Sequence, residues 1–383
     1  MTDSAAPAPG TPAPAASVVI VNWRQPELTA RAVESVLAQV VDAAIELVIV
    51  ENEATPGSAD ALRSRFPSAV VVENAANEGF AGGVTSGIAV ASGAVIVLLN
   101  NDAVAEPGFL AAGLARLDAS PARVAAVAAH IVLEGRYRPA PAGDGSRGLL
   151  VGVDGARWQR APDAAAGSGV ELTNSTGVVL TRSGNCYDRD WLAPVGAPGN
   201  GADSDSDSGS GSSGRTGEEP FAFTGGAVFL RTAALEAVGG FDTRFFMYYE
   251  DVDLSWRLRL AGYDIVYEPG ARVVHRHAGS SDHDSPLVRA YSMRNRTLTL
   301  LKNAPLRPAV AVVARSLLRA LADAVGAVRR PGAAGGGPSG AFLDRAGWRL
   351  YLTTLARLAP ALLRARRATP AATRRATYRR FAR

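Results

Sequence analysis

Apolar and polar positions in the first hundred residues follow two alternating patterns. Short runs of apolar side chains predict buried strands, and the segments between them have the apolar spacing of helices. The predicted strands are SVVIVNW, IELVIVEN, AVVVEN and AVIVLLNND, and the predicted helices are PELTARAVESVLAQ, SADALRSRF and AGGVTSGIAVA. Strands that are apolar on both faces and alternate with helices indicate a parallel sheet covered by helices.

Polar side chains stand where these predicted strands end. They are Asn22, Glu51, Asn77 and the triplet Asn100-Asn101-Asp102. Ligands of open α/β sheets bind at the carboxyl ends of the strands, so we expect a binding site along this edge. Asp102 is placed to offer a carboxylate to a hard cation and a diphosphate. The triplet is also compatible with a simple turn, since Asn and Asp favour turns.

A glycine-rich stretch, NEGFAGGVTSG at 77–87, lies at a predicted strand-to-helix junction. Small residues at such a junction let the backbone and a helix N-terminus approach a diphosphate closely. The stretch does not match the G-x-G-x-x-G fingerprint of dinucleotide-binding proteins. A tight packing turn between helix and sheet is the alternative interpretation.

The stretch FFMYYEDVDLSWRL, at 245–258, places three acids directly after an aromatic run. It predicts a helix that begins near Glu250 and ends at Gly262. Acids suit the first turn of a helix, and Asp253 can pair with Arg257 one turn later. A helix start does not account for the aromatic run. A carboxylate shielded by aromatic side chains is suited to act as a general base with a raised pKa.

His275 ends another apolar strand, in ARVVHRHAGSS. A lone histidine at a strand end has either a structural role or a ligand role. Asp102 also ends a strand, and imidazole beside a carboxylate suits a Mn²⁺-type ion better than an all-oxygen site does.

Composition limits the classes of protein to which the chain can belong. It has 383 residues, of which 47% are hydrophobic, and a single cysteine, Cys186. One cysteine excludes an internal disulfide and a cysteine-based metal cluster, so we expect a reducing, cytoplasmic setting. Residues 1–16 predict a disordered Pro/Ala tail without the features of a signal peptide, and 198–219 predict a low-complexity mobile loop. No run of 18 apolar residues predicts a transmembrane helix.

Positive charge is concentrated at the end of the chain. Residues 341–383 hold eleven arginines and one acid, a net +10, whereas the whole chain carries +4 and residues 1–340 therefore about −6. Residues 305–330 and 341–367 have the spacing of amphipathic helices. Basic amphipathic helices predict attachment of 341–383 to an anionic membrane surface. A helical cap on the domain or a dimer contact is the alternative, and no nucleic-acid partner is expected because no reading motif accompanies the arginines.

Taken together, these stretches resemble the family-2 glycosyltransferases of the GT-A fold, in particular rhamnosyltransferase-like and galactofuranosyltransferase-like bacterial members. The matching stretches are VVIVNW, VIVENEA, NEGFAGGVTSG, LLNND, TGGAVFLRTAALEAVGGFDTRFFMYYEDVDLSWRLRLAGY and VVHRHAGSS, in the family's order. The resemblance implies an α/β domain over 17–303, with a Rossmann-like, nucleotide-binding mixed sheet flanked by helices. The C-terminal amphipathic, Arg-rich helices occupy 304–383.

The resemblance also implies roles for individual residues. Asp251 corresponds to the catalytic base, and Asp102 and His275 to ligands of a Mg²⁺ or Mn²⁺ ion. Residues assigned to the nucleotide-sugar are Asn22, Glu51, Asn77, Gly82, Gly83, Asn100, Asn101 and Arg294. Residues assigned to the acceptor side are Gly225, Gly226, Tyr249 and Glu250.

Three positions depart from the family's pattern. Glu51 stands where the family commonly has Asp, Asn100 replaces the first acid of the metal-binding triplet, and Thr85 replaces an Asn. Asn100 cannot supply a second negative charge, so we expect a metal site with less charge neutralisation.

The implied function is inverting, metal-dependent transfer of a rhamnose- or galactofuranose-type sugar in cell-envelope glycan synthesis. The donor is a nucleotide-diphospho-sugar, and the acceptor is a saccharide or a lipid-linked saccharide. The expected location is the cytoplasm, with peripheral attachment to the inner face of the membrane as an option. A non-catalytic nucleotide- or sugar-binding relative is one alternative, which Asn100 and Glu51 leave open. A nucleotidyltransferase is another, but near the first strand the chain offers a triphosphate only Arg24.

Overall fold

A nine-stranded mixed sheet carries the candidate site. The computed structural model describes residues 13–53, 55–141, 148–162, 167–196, 219–276, 285–329 and 342–383. The predicted tail at 1–16 and the predicted loop at 198–219 lie mostly outside the described residues.

The sheet and its helices follow the predicted alternation over the first hundred residues. The strands of the large sheet are β1 Ala16–Asn22, β2 Ile45–Glu51, β3 Val70–Glu73, β4 Val95–Leu99, β5 Ala103–Ala105, β6 Val124–Leu133, β10 Thr173–Ser175, β13 Ala227–Arg231 and β14 Asp264–His275. Two small sheets contain β7 Tyr137–Pro139, β8 Leu150–Val151 and β9 Arg157–Arg160, and β11 Val178–Leu180 with β12 Cys186–Asp188. The helices are α1 Pro26–Leu37, α2 Ser58–Arg65, α3 Gly79–Val90, α4 Phe109–Asp118, α5 Thr232–Val238, α6 Glu250–Leu260, α7 Pro286–Asn303, α8 Leu306–Arg329, α9 Arg345–Ala365 and α10 Ala371–Phe381.

Strand order and direction bring the polar strand ends together. The order is β3-β2-β1-β4-β13-β6-β14-β5, and β10 pairs with β6. The first four strands are parallel, as the sequence predicts, whereas β13 runs antiparallel to β4 and β6. The register sets Asn22 beside Glu51, and His275 beside Ala103, the residue after Asp102. The sheet is therefore mixed, as the resemblance implies.

Apolar side chains fill both faces of the sheet because successive residues of a strand point to opposite sides. Ile20 of β1 belongs to the core on one face, and its neighbour Val19 to the core on the other. Burying a side chain of this size stabilises the fold by about 1.5–3 kcal/mol. Gly113 of α4 faces the ring of Phe229, where a Cβ would lie only 2.1 Å from the ring. The glycine therefore lets α4 pack closely on the sheet.

The C-terminal helices fold back onto the domain. Tyr351, Leu362 and Phe381 are buried, and α9 packs on α7 while α10 contacts α6. Arg374 is itself buried and donates to the carbonyl of Lys302 at 2.6 Å. This arrangement corresponds to the helical-cap alternative for the Arg-rich region. Among the described helices, none has both the length and the apolar character needed to span a membrane.

Candidate active site

The Asp102 carboxylate and the His275 imidazole face each other at the edge of the sheet. His275 Nε2 lies 3.1 Å from Asp102 Oδ1, and His275 Nδ1 lies 2.8 Å from Asn174 Oδ1. β14 delivers the histidine and the end of β4 delivers the aspartate. Asn174 comes from β10, a strand inside the part of the chain that gave no clear pattern. The predicted pair is thus brought together, with an amide that the sequence did not indicate.

This geometry fits a divalent cation. Two ligand atoms on adjacent corners of a coordination sphere with bonds of about 2.1 Å are about 3 Å apart, close to the observed O–N separation. An amide oxygen opposite Nδ1 fixes that nitrogen as the proton carrier, which leaves Nε2 free to ligate. Asp102 and His275 would hold the ion and Asn174 would orient the imidazole. In the described ranges, no cluster of three or more His, Cys, Asp or Glu side chains forms a complete metal site.

Asn22 and Glu51 form a buried network under the ends of β1 and β2. The Asn22 amide donates to Glu51 Oε2 at 2.6 Å, and the Ser58 hydroxyl donates to the same oxygen at 2.5 Å. Thr29 donates to Asn22 Oδ1 at 2.6 Å, and Asn101 reaches Thr29 at 3.4 Å. Both predicted residues are almost fully buried. Their contact with a base or ribose stays a prediction.

The glycine-rich stretch packs α3 against its neighbours. A Cβ at Gly83 would lie 2.7 Å from Val21, and a Cβ at Gly82 would meet Glu78 at 2.4 Å. Asn77 accepts from the backbone N–H of Gly79 at 2.8 Å and so shapes the helix start. These contacts support the packing alternative, and an additional role along the nucleotide stays a prediction.

Asn52 is a buried amide that the sequence reasoning missed, although it directly follows Glu51. Its side chain donates to the carbonyl of Gly79 at 2.8 Å and accepts from Asn74 at 2.9 Å. It therefore ties the end of β2 to the N-terminus of α3. The signal that could have identified Asn52 is its position directly after the acid that ends β2.

Asp251 stands in the first turn of α6 with both carboxylate oxygens held by backbone donors. Gly225 N–H donates to Oδ2 at 2.9 Å and Val252 N–H donates to Oδ1 at 2.7 Å. Desolvation raises the pKa of Asp251, and these two backbone hydrogen bonds oppose the rise. The side chain is half-buried. A carboxylate with a raised pKa is a better proton acceptor than an ordinary Asp, which suits a general base.

A two-glycine bridge links Asp251 to the metal-binding triplet. Gly225 contacts Asp251 as described, and the carbonyl of the adjacent Gly226 accepts from Asn100 N–H at 2.9 Å. A Cβ at Gly225 would lie 2.9 Å from the Phe80 ring, so a larger residue would displace one of the two. The backbone at Gly225 and Gly226 therefore contacts both Asp251, the general-base candidate, and Asn100, which follows β4.

Two further carboxyls lie beside Asp251. Glu250 is buried, and its Oε2 has no hydrogen-bond partner among the described residues. Burial and the charge of Asp251 raise the pKa of Glu250 well above its ordinary value. Burial also raises the pKa of Asp188 to about 6, with opposing effects from a Ser175 hydrogen bond and from His275. Asp188 belongs to β12, and the charge of Asp251 adds to the rise in its pKa. The sequence gave no signal for it.

The loop before α6 has an unusual backbone. Phe246, Tyr248 and Tyr249 have φ values of 67°, 65° and 68°, a region that residues other than glycine rarely adopt. Asn295 of α7 lies beneath, with its amide nitrogen 2.7–2.8 Å from the carbonyl oxygens of Phe245, Met247 and Tyr248. The surrounding structure fixes this strained loop and hence the position of Asp251.

Arg294 belongs to the same support. Its guanidinium donates to the carbonyls of Arg244 and Phe245 at 2.9 and 2.7 Å and lies over the Tyr291 ring. Burial lowers the pKa of Arg294. Its approach to a diphosphate stays a prediction.

Asp253 has a structural role inside α6. It pairs with Arg257 at 2.8 Å, as predicted, and also accepts from Lys302 and Asn303 at 2.8 Å each. Lys302 additionally contacts Asp242 at 2.8 Å. The fully buried carboxylate thus anchors α6 to the end of α7.

Known families match two parts of the chain. Residues 17–160 match glycosyl transferase family 2, and residues 202–296 match glycosyl transferase family group 2. Together these matches contain the Asp102, Asp251 and His275 positions. The chain belongs to glycosyltransferase family 2. This confirms the family that the motifs indicated.

Two similar proteins are partial relatives of this family-2 member. An N-acetylglucosaminyl-diphospho-decaprenol L-rhamnosyltransferase of Mycobacterium tuberculosis is 48% identical over 68 residues, which are 18% of this chain and 22% of the relative. An uncharacterized glycosyltransferase of Nostoc sp. is 36% identical over 94 residues, 24% of this chain and 29% of the relative. The chain thus spans less than a third of the length of each of these relatives.

A solved structure shares the fold of this family-2 member. GalNAc-T7, crystallised with UDP, GalNAc and Mn²⁺, superposes with a TM-score of 0.51 at 15% identity and covers 78% of this chain and 49% of that chain. The identity is low, so the likeness concerns the fold alone. The α/β fold with a mixed sheet of the GT-A type and C-terminal helices is confirmed.

Proposed function

We propose that the protein transfers a sugar from a nucleotide-diphospho-sugar to an acceptor hydroxyl, with inversion at the anomeric carbon. The observation that supports this is the Gly225–Gly226 bridge, which ties the Asp251 carboxylate to the end of β4 beside Asp102 and His275. A base and a cation-binding pair at one edge of a sheet are the groups that a single displacement requires.

Asp251 is the proposed general base. Two backbone N–H groups donate to its oxygens, so the carboxylate keeps its orientation while it accepts the proton of the acceptor hydroxyl. The acceptor oxygen then forms the new bond to the anomeric carbon as the bond to the diphosphate breaks. Inversion follows because attack comes from the side opposite the leaving group.

A divalent cation, Mg²⁺ or Mn²⁺, would compensate the charge of the leaving diphosphate when bound. Asp102 and His275 would hold it, and Asn174 keeps the imidazole in the required tautomer. The proposed ligand set has one carboxylate because Asn100 takes the place of the first acid.

The donor we propose is of the rhamnose or galactofuranose type, and the acceptor is a lipid-linked saccharide of the cell envelope. The partial relative from Mycobacterium tuberculosis is named for rhamnosyl transfer to a diphospho-decaprenol-linked sugar, which supports this class. The corresponding location is the cytoplasm at the inner membrane face. The arginines of 341–383 that do not contact the domain are proposed to face anionic lipid.

A nucleotide panel tests the donor half of the proposal. Thermal unfolding is measured with TDP, UDP, GDP and CMP, each with Mn²⁺ and with EDTA. We expect one diphosphate to stabilise the protein only with Mn²⁺, by about 2.7 kcal/mol at 100 times its Kd. Sugar transfer from the matching donor should then require Asp251. If none of the four nucleotides stabilises the protein against thermal unfolding, the result would contradict the proposal and favour a non-catalytic relative.

A further inference from the structure

An arginine-lined cavity of about 560 Å³ lies between α7 and α8, outside the sheet edge that holds Asp102. Its lining includes Arg289 and Arg296 of α7 and Arg315 and Arg319 of α8. No Asp or Glu occurs among the described residues that line it. We call this space the arginine cavity.

Most of the positive charge in the arginine cavity is not neutralised. Arg319 lies 3.7 Å from Asp323 and is half exposed. Arg315 donates to the carbonyl of Ser183 at 2.9 Å, and Arg296 contacts the amide oxygen of Asn185. These two contacts are with neutral groups, and within the described chain only Arg319 of the four cavity arginines has a carboxylate partner. The described lining of the cavity therefore carries a surplus of about three positive charges.

Two hydrogen-bond donors in the arginine cavity also lack partners in the described part of the chain. They are the buried Nε of Arg296 and the hydroxyl of Ser316, a residue that is only 2% exposed. An unpaired buried donor destabilises the folded state, and a bound acceptor atom can remove that cost. Guanidinium forks and a hydroxyl suit phosphate oxygens in particular.

Tyr249 connects the arginine cavity to the catalytic carboxylate. It lines the cavity and precedes Asp251 by two residues. Its hydroxyl accepts from the backbone N–H of Cys186 at 3.3 Å, on the same strand as Asp188. Burial raises the pKa of Tyr249, and the charges of Arg296 and Asp251 also act on it. The cavity wall at Tyr249 and the Asp251 carboxylate therefore both lie at the start of α6.

An exposed apolar stripe runs along α8 next to the arginine cavity. Its side chains are Leu306, Val310, Leu317, Leu318, Leu321 and Val325. Leu318 and Leu321 are 67% and 62% exposed, and Arg315 and Arg319 flank them on the same helix. Apolar surface beside a cationic cavity is complementary to an amphiphile with a phosphate head group and a hydrocarbon chain.

We propose that the arginine cavity binds the diphosphate of a lipid-linked acceptor, with its hydrocarbon chain along the apolar stripe of α8. This rests on the proposed function, because it names the place of the acceptor in that reaction. The donor diphosphate belongs to the separate Asp102–His275 pair. The acceptor sugar, attached to the bound diphosphate, then extends past Tyr249 toward Asp251.

Direct binding to the full chain tests this inference. Farnesyl diphosphate, inorganic diphosphate and farnesol are titrated by calorimetry in EDTA, which keeps metal-assisted binding out of the measurement. We expect farnesyl diphosphate to bind at least tenfold more tightly than either of the other two. The double variant Arg315→Gln/Arg319→Gln should weaken it by about tenfold to a hundredfold, since it removes two charge-assisted contacts that water replaces only in part.

A matched control separates specific binding from attraction by net charge. Arg349→Gln/Arg357→Gln removes two exposed arginines of α9 that do not line the cavity. It should leave the affinity for farnesyl diphosphate within twofold of the wild type. Equal weakening in both double variants would overturn the proposal, as would equal affinity for inorganic diphosphate, which would indicate a site for a free anion.

The Mn²⁺-dependent nucleotide shift, measured on the same variants, keeps the two proposals apart. We expect that shift to be unchanged in both double variants. If the shift is present but farnesyl diphosphate binding is insensitive to the cavity arginines, the cavity proposal fails alone. If no nucleotide binds to the wild type, the proposed function fails.

Discussion

His275 Nε2 lies 3.1 Å from Asp102 Oδ1, although the two residues are 173 positions apart in the chain. The antiparallel pairing of β14 with β5 creates this contact, and Asn174 completes it from the other side of the ring. A pair of this geometry binds a cation well only while the ring keeps its orientation.

Asn174→Ala should therefore weaken Mn²⁺ binding without removing either ligand. Loss of such an orienting partner typically costs 10–100-fold in metal affinity. The measurement is a Mn²⁺ titration in the presence of the nucleotide diphosphate. Asn174→Asp keeps an acceptor opposite Nδ1 and should restore most of the affinity. Wild-type affinity in Asn174→Ala would argue against an ion at this pair.

Asp251→Asn should lower kcat by about 10²–10⁴-fold while nucleotide binding stays unchanged. The amide keeps the shape and loses the ability to take a proton. Because burial raises the pKa of Asp251, wild-type kcat/KM should fall on the acid side at a pH above the value of about 3.9 typical of Asp. Steady-state kinetics across pH give both results. The exposed Asp60→Asn serves as control, and near-normal turnover in Asp251→Asn would exclude it as the base.

Lys302→Met should destabilise the fold by roughly 3 kcal/mol. The substitution leaves the buried carboxylates of Asp253 and Asp242 without a shared cation, and removing one partner of a buried pair typically costs 3–5 kcal/mol. Arg257 and Asn303 still contact Asp253, so we expect the lower end of that range. Urea unfolding gives the value. Disrupting the exposed Arg63–Asp60 pair with Asp60→Ala should change stability by less than about 1 kcal/mol.

His130 should make the fold sensitive to acid between pH 6.5 and about 4. Burial, followed by the charge of Arg272, lowers the pKa of His130 to about 4, so the native state keeps the ring neutral. The unfolded state binds the proton below about pH 6.5, and stability is therefore lost as the pH falls through this window, by at most roughly 3 kcal/mol.

His130→Gln should flatten this part of the stability curve. Asp188, with its pKa raised to about 6, contributes to the pH dependence of stability with the opposite sign over an overlapping pH range. The effect of His130 is therefore taken as the difference in stability between the variant and the wild type at each pH. Urea unfolding at several pH values measures it. Parallel curves for variant and wild type would show that the ring does not titrate as described.

The sequence predicts those strands and helices whose pattern of apolar and polar residues is visible within a short stretch of the chain. The strands and helices up to Leu99 follow from apolar periodicity, and α6 from its acids and Gly262. Asp102, Asp251 and His275 follow from strand ends and from the resemblance. Asn174 and Asp188 do not, because they stand on strands of three residues, which are too short to show a period. Their positions depend on pairing between distant segments.

The sequence also could not predict which arginines contact the domain and which line a cavity. Their charge predicts a partner of opposite sign, but helical spacing cannot distinguish a guanidinium that caps a helix end from one that faces solvent. Arg374 caps the carbonyl of Lys302, whereas Arg315 and Arg319 line a cavity. Only the tertiary packing of the helices that carry these arginines separates the two cases.

The tether between Asn295 and the loop before α6 has a consequence for how the chain can change by mutation. The positive φ values of Phe246, Tyr248 and Tyr249 are unfavourable for these residue types, so an amide on another helix determines where this loop lies. Exposed arginines can be exchanged at little cost, but position 295 accepts few alternatives, because no other side chain offers two protons at that depth and at that length. Tolerance to substitution should therefore be low at a residue whose side chain contacts the backbone of the loop and not the Asp251 carboxylate.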